Sequence, residues 1–350
     1  MLARGEAGEF AERHANYFMN LAKHGSVDLR GPDQIIWTDR FITMQEDMRT
    51  ALDWIIEEDK TETALQFVND LFEFWLRHSD YEEARQWHAR ILALPDAQQY
   101  PETYLEAFNH LTWVYWLQTK MEKARTSAEH ALILSQSQTS KVNMAVAHLN
   151  LGLTLMTYKE YEKAQGYLEE AEDISQENLF EWELARAHLL LGAGYKDQDQ
   201  YASAQSHFAQ ALHIWKKLGD IGFQCVLPRF AGDLEFKQGN LNEAVNEYCE
   251  SLLFARIVKN RWISAGVMWG LARVAKAKGH HDRALRLYWA SKKIYDDIGA
   301  WWSSDDLEVE EELAGVRIGL GEAETLSVLE DGQRMTMEES IEFALGEGLN

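Results

Sequence analysis

The feature that most constrains this chain is an alanine that returns every 40 residues. It occurs six times without insertion or deletion, at Ala84, Ala124, Ala164, Ala204, Ala244 and Ala284. The position seven residues later is small in five of the six copies, and the position twelve residues earlier is mostly small. A fixed period of this length is the signature of a repeat protein, in which each unit packs on its neighbours.

Each copy has the pattern of a helical hairpin. Small residues let two antiparallel helices approach closely, and bulky residues such as Tyr81 and Tyr161 fill the groove beside them. In the third copy the pattern predicts a helix over 141–157, a turn at Tyr158–Glu160 and a second helix reaching about residue 173. One hairpin cannot bury its apolar side alone. The chain is therefore predicted to be all-α, an α-solenoid of about six stacked hairpins.

The composition excludes several other classes of protein. Four prolines and 22 glycines are too few turn-forming residues for an all-β sandwich or barrel. No run of about 18 apolar residues exists, so no membrane span is expected. A net charge of −23 disfavours direct binding to nucleic acid or anionic lipid. Two cysteines, Cys225 and Cys249, and the lack of a signal sequence favour a cytoplasmic location.

The repeats divide the chain into three predicted segments. Residues 1–60 are a helical lead-in, 61–300 hold the six hairpins, and 301–350 form an acidic helical cap. The last segment carries 14 acidic residues against Arg317 and Arg334, a net charge of −12. One interpretation is a solubilising end cap, which a solenoid needs. The other is an acidic segment that competes for a basic groove.

The repeat columns resemble the tetratricopeptide pattern. Small residues stand at the eighth, twentieth and twenty-seventh positions and large ones near the eleventh and twenty-fourth. The clearest stretches are LG at 151–152, LGAGY at 191–195 and AQSHF at 204–208. The period is 40 residues instead of 34, and the usual proline near the end of the unit is missing. Both departures are features of the longer variant found in large bacterial regulatory ATPases.

The flanking segments resemble those of one kind of regulator. RHANYFMNLA and GPDQIIWTDRF before the repeats, and KIYDDIGAWW and DGQRMTMEESIEFAL after them, are similar to the C-terminal sensor region of STAND-type ATPases of the LuxR/MalT/AfsR kind. The resemblance implies an upstream nucleotide-binding module as a partner. The chain has no G-x-x-x-x-G-K-[ST] motif and no basic helix-turn-helix segment. We therefore expect the sensor half alone, and a fragment of a larger protein is favoured over a natural short one.

The resemblance also implies which residues line the concave face, because the first helix of each tetratricopeptide unit faces inward. In the first three units these are Asn69, Glu73, Asn109, Trp113, Trp116 and Met156. In the last three they are Arg186, Lys196, Arg229, Lys237, Trp269, Arg273 and Lys276. This predicts a groove with an aromatic and apolar N-terminal half and a cationic C-terminal half. The competing interpretation is that the cations pair with neighbouring carboxylates and bind nothing.

These patterns predict a binding module and no enzyme. No Ser/His/Asp or Cys/His constellation can be assembled, His280 and His281 have no further ligands at metal-binding spacing, and no cofactor motif is present. The expected partner is a protein or peptide, or a small anionic inducer held by arginine side chains. The predicted role is ligand sensing within a signal-transduction or transcriptional regulator. The alternative is a free-standing tetratricopeptide scaffold that joins other proteins.

Overall fold

The computed structural model describes residues 2–300, Ala314 and residues 322–346, and this part of the chain is helical without a β-strand. The predicted all-α fold of the solenoid type, with tetratricopeptide-like hairpins at a 40-residue period, is confirmed. Within the described ranges, no helix combines the length and the apolar composition needed to cross a membrane.

Three helices precede the hairpins: α1 (Leu2–Asp28), α2 (Gln34–Thr43) and α3 (Gln45–Glu57). The first three hairpins are α4 (Thr61–His78) with α5 (Tyr81–Leu92), α6 (Pro101–Leu117) with α7 (Met121–Gln136), and α8 (Lys141–Thr157) with α9 (Tyr161–Glu177). The others are α10 (Glu181–Asp197) with α11 (Tyr201–Leu218), α12 (Ile221–Gln224) and α13 (Val226–Lys237) with α14 (Leu241–Ile257), and α15 (Arg261–Ala277) with α16 (His281–Ile298). Within residues 322–346, the structure describes two further helices, α17 (Glu322–Arg334) and α18 (Met337–Leu345).

The repeated alanines lie inside the hairpins, as the pattern predicts. All six are at most 2% exposed, and the residues seven positions later are equally buried. The predicted limits of the third hairpin are also close to the observed ones. Its first helix ends at Thr157 and its second runs to Glu177, four residues beyond the expected end.

The fifth hairpin departs from the others because its first helix is broken into α12 and α13. Pro228 explains the break. It has no backbone N–H to donate to the carbonyl of Gln224, and its ring crowds the turn that precedes it. The repeat pattern predicts two helices in each hairpin and does not indicate this break.

The helices form two compact units. The first holds Met1–Trp116, Lys120–Leu190 and Lys216–Asp220, and the second holds Leu117–Thr119, Leu191–Trp215 and Ile221–Asn350. These units follow inter-residue contacts, whereas the boundaries at residues 60 and 300 follow the repeat period, so the three-segment division stays a prediction. Most of the first half of the predicted acidic cap, including Trp301 and Trp302, lies outside the described residues.

Candidate binding cleft

The structure places the predicted site residues in both compact units. Five of them line one cleft in the first unit: Asn69, Glu73, Asn109, Trp113 and Arg186. Trp116 and Met156 also belong to the first unit but stand outside the lining of that cleft. The second unit holds Lys196, Arg229, Lys237, Trp269, Arg273 and Lys276.

We call the cleft of the first unit the inner cleft. Its wider part has a volume of about 510 Å³ and is lined by residues that include Arg30, Asn69, Asp70, Glu73, Glu106, His110 and Trp182. A narrower part shares several of these residues and adds Asn109, Trp113, Asn150, Glu183 and Arg186. A space of this size, with aromatic walls and a few polar groups, is typical of sites that bind small molecules or short chain segments.

Arg30, in the turn after α1, is the central cation of the inner cleft. Its Nη2 atom lies 2.9 Å from Oε1 of Glu73, and its Nη1 atom lies 3.6 Å from Oε1 of Glu183. Its guanidinium carbon is 4.2 Å from the ring centroid of Trp182. Burial opposes the charged form, but Glu73 and Glu183 outweigh it and raise the pKa of Arg30. Arg30 therefore contacts two glutamates and stacks on an indole, and one of these glutamates, Glu73, also lies 3.4 Å from Nε of Arg77.

A second ion pair joins parts of the first unit that are far apart in sequence. Arg77 of α4 donates two hydrogen bonds to Asp220, at 3.0 and 2.8 Å, and one to Oε1 of Gln34 at 2.9 Å. The indole N–H of Trp182 donates to Asp220 at 3.1 Å. Asp220 is fully buried. This forked geometry is the strong form of an arginine–carboxylate pair.

Arg186 of α10 is held mainly by aromatic rings. Its guanidinium carbon lies 4.3 Å from the ring centroid of Trp113 and 5.2 Å from that of Trp182. Burial lowers the pKa of Arg186 to about 10, although Glu183 acts in the opposite direction. Its Nε atom is buried without a hydrogen-bond partner. Arg186 is thus a charged group with hydrogen-bonding capacity that its surroundings do not use.

Asparagines on α4, α6 and α8, the first helices of the first three hairpins, connect these helices by hydrogen bonds. The side-chain amide of Asn69 donates to the carbonyl of Thr103 at 3.0 Å, and that of Asn109 donates to the carbonyl of Asn143 at 3.1 Å. In the opposite direction along the chain, the side-chain amide of Asn150 donates to the carbonyl of Asn109 at 3.0 Å. The Oδ1 atoms of Asn69, Asn109 and Asn150 are buried without a hydrogen-bond partner. Each amide therefore links neighbouring hairpins through its nitrogen, and its buried Oδ1 atom accepts no hydrogen bond.

Two carboxylates of the wider part stand apart from the ion pairs. Asp70 belongs to α4 and Glu106 to α6. Burial, reinforced by the charge of Glu106, raises the pKa of Asp70 to about 7, against the opposing effects of Lys23 and Ser26. Burial also raises the pKa of Glu106, which accepts a hydrogen bond from Asn69 at 3.2 Å.

His110 contributes a flat, neutral face to the inner cleft. Its ring is stacked on Phe72 with the centroids 3.8 Å apart and an interplanar angle of 8°. Burial, together with the nearby His88 and Arg30, holds the pKa of His110 well below its usual value. The imidazole is therefore uncharged at neutral pH and acts here as an aromatic surface.

The two remaining predicted residues of the first unit make structural contacts. The indole N–H of Trp116 donates to the hydroxyl of Thr157 at 2.9 Å. Met156 packs against the hydrophobic cluster that includes Leu155 and Ala164, inside the third hairpin. Neither contact brings its side chain to the inner cleft.

In the second unit, cations gather around one carboxylate. Nζ of Lys196 lies 3.8 Å from Oδ2 of Asp233, and the hydroxyl of Tyr248 donates to Oδ1 at 2.7 Å. Burial would raise the pKa of Asp233, but Lys196, Arg229 and Arg273 hold it below its usual value. Three cations thus act on Asp233, and Nζ of Lys196 also lies 3.4 Å from Oδ1 of Asp197, so the predicted cationic strip is partly neutralised.

Arg229 lies directly after the break at Pro228 and is 7% exposed. Its guanidinium is 4.9 Å from the ring centroid of Trp262, and its Nε and Nη1 atoms are buried without a hydrogen-bond partner. Gly266 makes room for it, because a Cβ atom at that position would lie 2.7 Å from the guanidinium carbon. Glycine is therefore needed where α15 passes over this side chain.

The other predicted residues of the second unit differ in their surroundings. Nζ of Lys237 donates to the carbonyl of Lys196 at 3.2 Å. Arg273 lies with its guanidinium carbon 4.3 Å from the ring centroid of Phe236. Trp269 is buried and packs on Tyr288, so it belongs to the core of the sixth hairpin. Lys276 is half-buried.

The sequence analysis missed Arg30, Asp70, Glu106, Asn150 and Trp182. Repeat columns could not find Arg30, because it lies before the first hairpin. Asn69 and Asn109 share a column, but Asn150 stands one position out of register with them. A polar residue predicted to lie on the buried face of a helix is a usable signal, since buried polar groups need partners.

No model of a known protein family matches the chain, and no curated protein matches it. Among solved structures, the apo form of RapI is 20% identical, covers 79% of this chain and 97% of its own, and has a TM-score of 0.49. A Signal Transduction ATPase with Numerous Domains that has a tetratricopeptide repeat sensor, from Pyrococcus horikoshii, is 14% identical over 79% of this chain and 43% of its own, with a TM-score of 0.49. A tetratricopeptide repeat protein from Parabacteroides merdae is 15% identical over 83% of this chain and 98% of its own, with a TM-score of 0.48. At such identities and TM-scores, the ligand of this chain has to be inferred from its own residues.

Proposed function

We propose that this chain is a non-catalytic module that binds an extended peptide segment of a partner in the inner cleft. The observation that carries the proposal is the row of Oδ1 atoms of Asn69, Asn109 and Asn150, which are buried and have no hydrogen-bond partner. A buried acceptor without a donor costs free energy, so a ligand that supplies the N–H group is favoured.

The spacing of these acceptors suits a peptide backbone. Asn69 and Asn109 occupy the same column of successive hairpins, 40 residues apart. Packed helices lie about 8–10 Å apart. An extended chain of the polyproline II type advances about 3.1 Å per residue with three residues per turn, so N–H groups that point to the same side recur about every 9 Å. That interval agrees with the separation expected for packed helices.

The walls of the cleft support the same ligand class. Trp113 and Trp182 flank Arg186, and Phe72 stacks on His110. Aromatic residues and arginine are the residue types that contribute most to binding at protein interfaces. Such walls can hold side chains of a bound segment while the asparagines hold its backbone.

The test is binding of terminally blocked random pentapeptide pools, measured by isothermal calorimetry with the full chain. Asn109→Ala removes one acceptor, and we expect affinity for retained peptides to fall about 3–10-fold, the value of one hydrogen bond. Asn143→Ala is the matched control. Asn143 makes a similar inter-hairpin bond, from its amide to the carbonyl of Glu102, but stands outside the lining of the cleft. Equal losses in both variants, or no binding of any pool, would contradict the proposal.

The sequence resemblance supports a finer proposal, that the module senses an inducer for a STAND-type regulatory ATPase in the cytoplasm. A ligand drives such a switch only when it binds one arrangement of the hairpins better than the other. The reading frame on either side of the encoding segment tests this role. An in-frame P-loop module is the expected finding, and its absence from the whole gene product would favour the scaffold.

The cluster around Asp233 supports an anionic group as a second feature of the ligand. Lys196, Arg229 and Arg273 all lower the pKa of Asp233, and Lys196 also pairs with Asp197 at 3.4 Å. Arg229 is buried, so Arg273→Gln is the cleaner change. We expect it to weaken binding of acidic peptide pools and to leave helical content unchanged by circular dichroism. Unchanged affinity would remove this assignment.

A further inference from the structure

The wider part of the inner cleft contains more anions than cations. Its lining includes four carboxylates, those of Asp28, Asp70, Glu73 and Glu106, and a single guanidinium, that of Arg30. Arg30 is engaged with Glu73 at 2.9 Å and also approaches Glu183. Its charge is therefore already shared by two glutamates. Among the residues that the structure describes, no salt bridge reaches Asp70 or Glu106.

A second observation at the same end of the cleft is an amide oxygen that accepts no hydrogen bond. Asn69 lines the same cleft and is 7% exposed. Its amide nitrogen is used twice, by the carbonyl of Thr103 and by Oε2 of Glu106. Its Oδ1 atom has no partner. The groups with unused hydrogen-bonding capacity at this end of the cleft are thus carboxylate and amide oxygens, which accept hydrogen bonds and do not donate them.

The aromatic surface beside these oxygens favours an organic ion. The stacked rings of Phe72 and His110 line the wider part together with Trp182. Flat aromatic faces attract ammonium and guanidinium groups, and a cleft of about 510 Å³ accommodates a side chain. In the described part of the chain, these carboxylates do not converge as a set of three or more metal ligands.

The raised pKa values of the two carboxylates are consistent with a site for a cation. Burial and the charge of Glu106 raise the pKa of Asp70 to about 7, and burial raises that of Glu106. Lys23 lowers the pKa of Asp70 and Arg30 lowers that of Glu106, but burial outweighs both cations. A further cation between these half-buried carboxylates would favour their ionised forms.

We infer that the inner cleft binds an organic cation, a guanidinium or ammonium group carried by the bound peptide, between Asp70 and Glu106. This inference rests on the proposed peptide-binding function and adds the chemistry of one ligand side chain. The bound group donates to the two carboxylates and to Oδ1 of Asn69, with its apolar stem against Phe72 and Trp182.

The test uses the full chain and four terminally blocked pentapeptide pools with random flanking residues. The central residue is arginine, lysine, citrulline or glutamate. Citrulline has the shape of arginine without its charge, so the comparison isolates the cation. We expect the arginine or lysine pool to bind at least about tenfold more tightly than the citrulline pool, as charge-assisted hydrogen bonds do. The arginine and lysine pools distinguish a guanidinium from an ammonium ligand.

Variants assign the preference to the cleft. Asp70→Asn and Glu106→Gln should each abolish the preference for a cationic pool, while Glu62→Gln on the exposed first turn of α4 should keep it. Burial raises the pKa of both half-buried carboxylates, so we expect the two substitutions to give folded and equally or more stable proteins. Circular dichroism and thermal unfolding check this point and separate lost binding from lost folding.

The outcomes separate this inference from the proposed function. Pools that bind with no preference for a cation, or with a preference for glutamate, overturn the inference and leave peptide binding intact. No binding by any pool overturns both. Binding of Ca²⁺ or Mg²⁺ alone, lost in Asp70→Asn and without a preference for cationic peptides, assigns the carboxylates to a metal and overturns the inference.

Discussion

Single residues set the packing inside each hairpin through pairs of complementary size. Where the first helix has a glycine, the second has a large side chain, and a Cβ atom on that glycine would lie only 2.6–2.7 Å from it. The pairs are Gly152 with Leu168, Gly192 with Phe208, and Gly232 with Tyr248. In the first two hairpins this position of the first helix holds a larger residue, Phe72 or Thr112. The facing residue of the second helix differs accordingly. The helix separation is kept while the residues that fill it vary.

Replacing a repeat alanine tests this packing. Ala204 is fully buried in the fourth hairpin. Ala204→Leu should overpack the hairpin and lower the free energy of unfolding by about 1–3 kcal/mol, as measured by urea denaturation. Ala202→Leu, on the exposed side of the same helix, should change it by less than about 0.5 kcal/mol. Equal effects at the two positions would contradict the packing of α11 in this hairpin.

Asp70 should make stability depend on pH. Its pKa is about 7 in the folded chain, against about 4 for an unperturbed aspartate. Between these values the folded chain retains a proton that the unfolded chain has lost, so the free energy of unfolding falls as the pH rises from 4 to 7. Glu106, whose pKa is also raised, acts in the same direction, whereas Lys23 and Arg30 oppose the effect by favouring ionised carboxylates.

Asp70→Asn removes this dependence. The variant should resemble the parent chain near pH 4.5 and exceed its free energy of unfolding by at most about 2 kcal/mol at pH 7.5. Urea denaturation at the two pH values measures the difference. A stability gain of the same size at both pH values would show that Asp70 does not retain a proton in the folded chain.

At the scale of helices and turns, the repeat period extends to backbone conformation. Each turn between the two helices of a hairpin contains a residue with positive φ, and these six residues are also 40 positions apart. They are Ser79, Thr119, Lys159, Asp199, Gly239 and Gly279, with φ between 51° and 82°. The left-handed conformation ends the first helix and starts the second. Only two of the six are glycines, so a search for glycine alone does not reveal this column.

Two glycines should respond to alanine in opposite ways. Gly239 has φ of 82°, where a side chain is strained, so Gly239→Ala should lower the free energy of unfolding by about 1 kcal/mol. Gly166 is exposed within helix α9, and nothing lies within 4 Å of an added Cβ atom. Gly166→Ala should raise the free energy of unfolding by about 0.5–1 kcal/mol. Thermal unfolding of both variants gives the signs, and a shared sign would contradict one of the two backbone assignments.

For the molecule as a whole, periodic features could be predicted and non-periodic ones could not. The alanine column located all six hairpins because each copy must bury the same face. The inner cleft depends on residues outside the columns, such as Arg30 before the repeats and Asp220 in a connector. Their positions follow from how distant segments pack, which no local pattern specifies. The repeat pattern predicts two helices in each hairpin and does not indicate the break at Cys225, which follows from the single proline Pro228.

An ion pair between α4 and the connector after α11 shows what holds distant segments of the first unit together. Arg77 and Asp220 are separated by 143 positions in the chain and form a forked ion pair in which Asp220 is fully buried. Trp182 adds a hydrogen bond to the same carboxylate. Because the pair lies away from water, either partner left alone is an uncompensated buried charge. We therefore expect the pair to favour this arrangement of α4 and the connector over others more than it adds to stability.

This distinction gives different expectations for single and double variants. Arg77→Met should lower the free energy of unfolding of the first unit by about 3–5 kcal/mol, because Asp220 is then buried without its cation. Arg77→Met with Asp220→Leu should recover much of that loss, since two apolar side chains replace the pair. Hydrogen exchange of α4, followed by mass spectrometry, reports on this unit separately from the second. If the double variant lost as much protection as the sum of both single variants, the two residues would act independently, and the ion pair would not be what joins α4 to the connector.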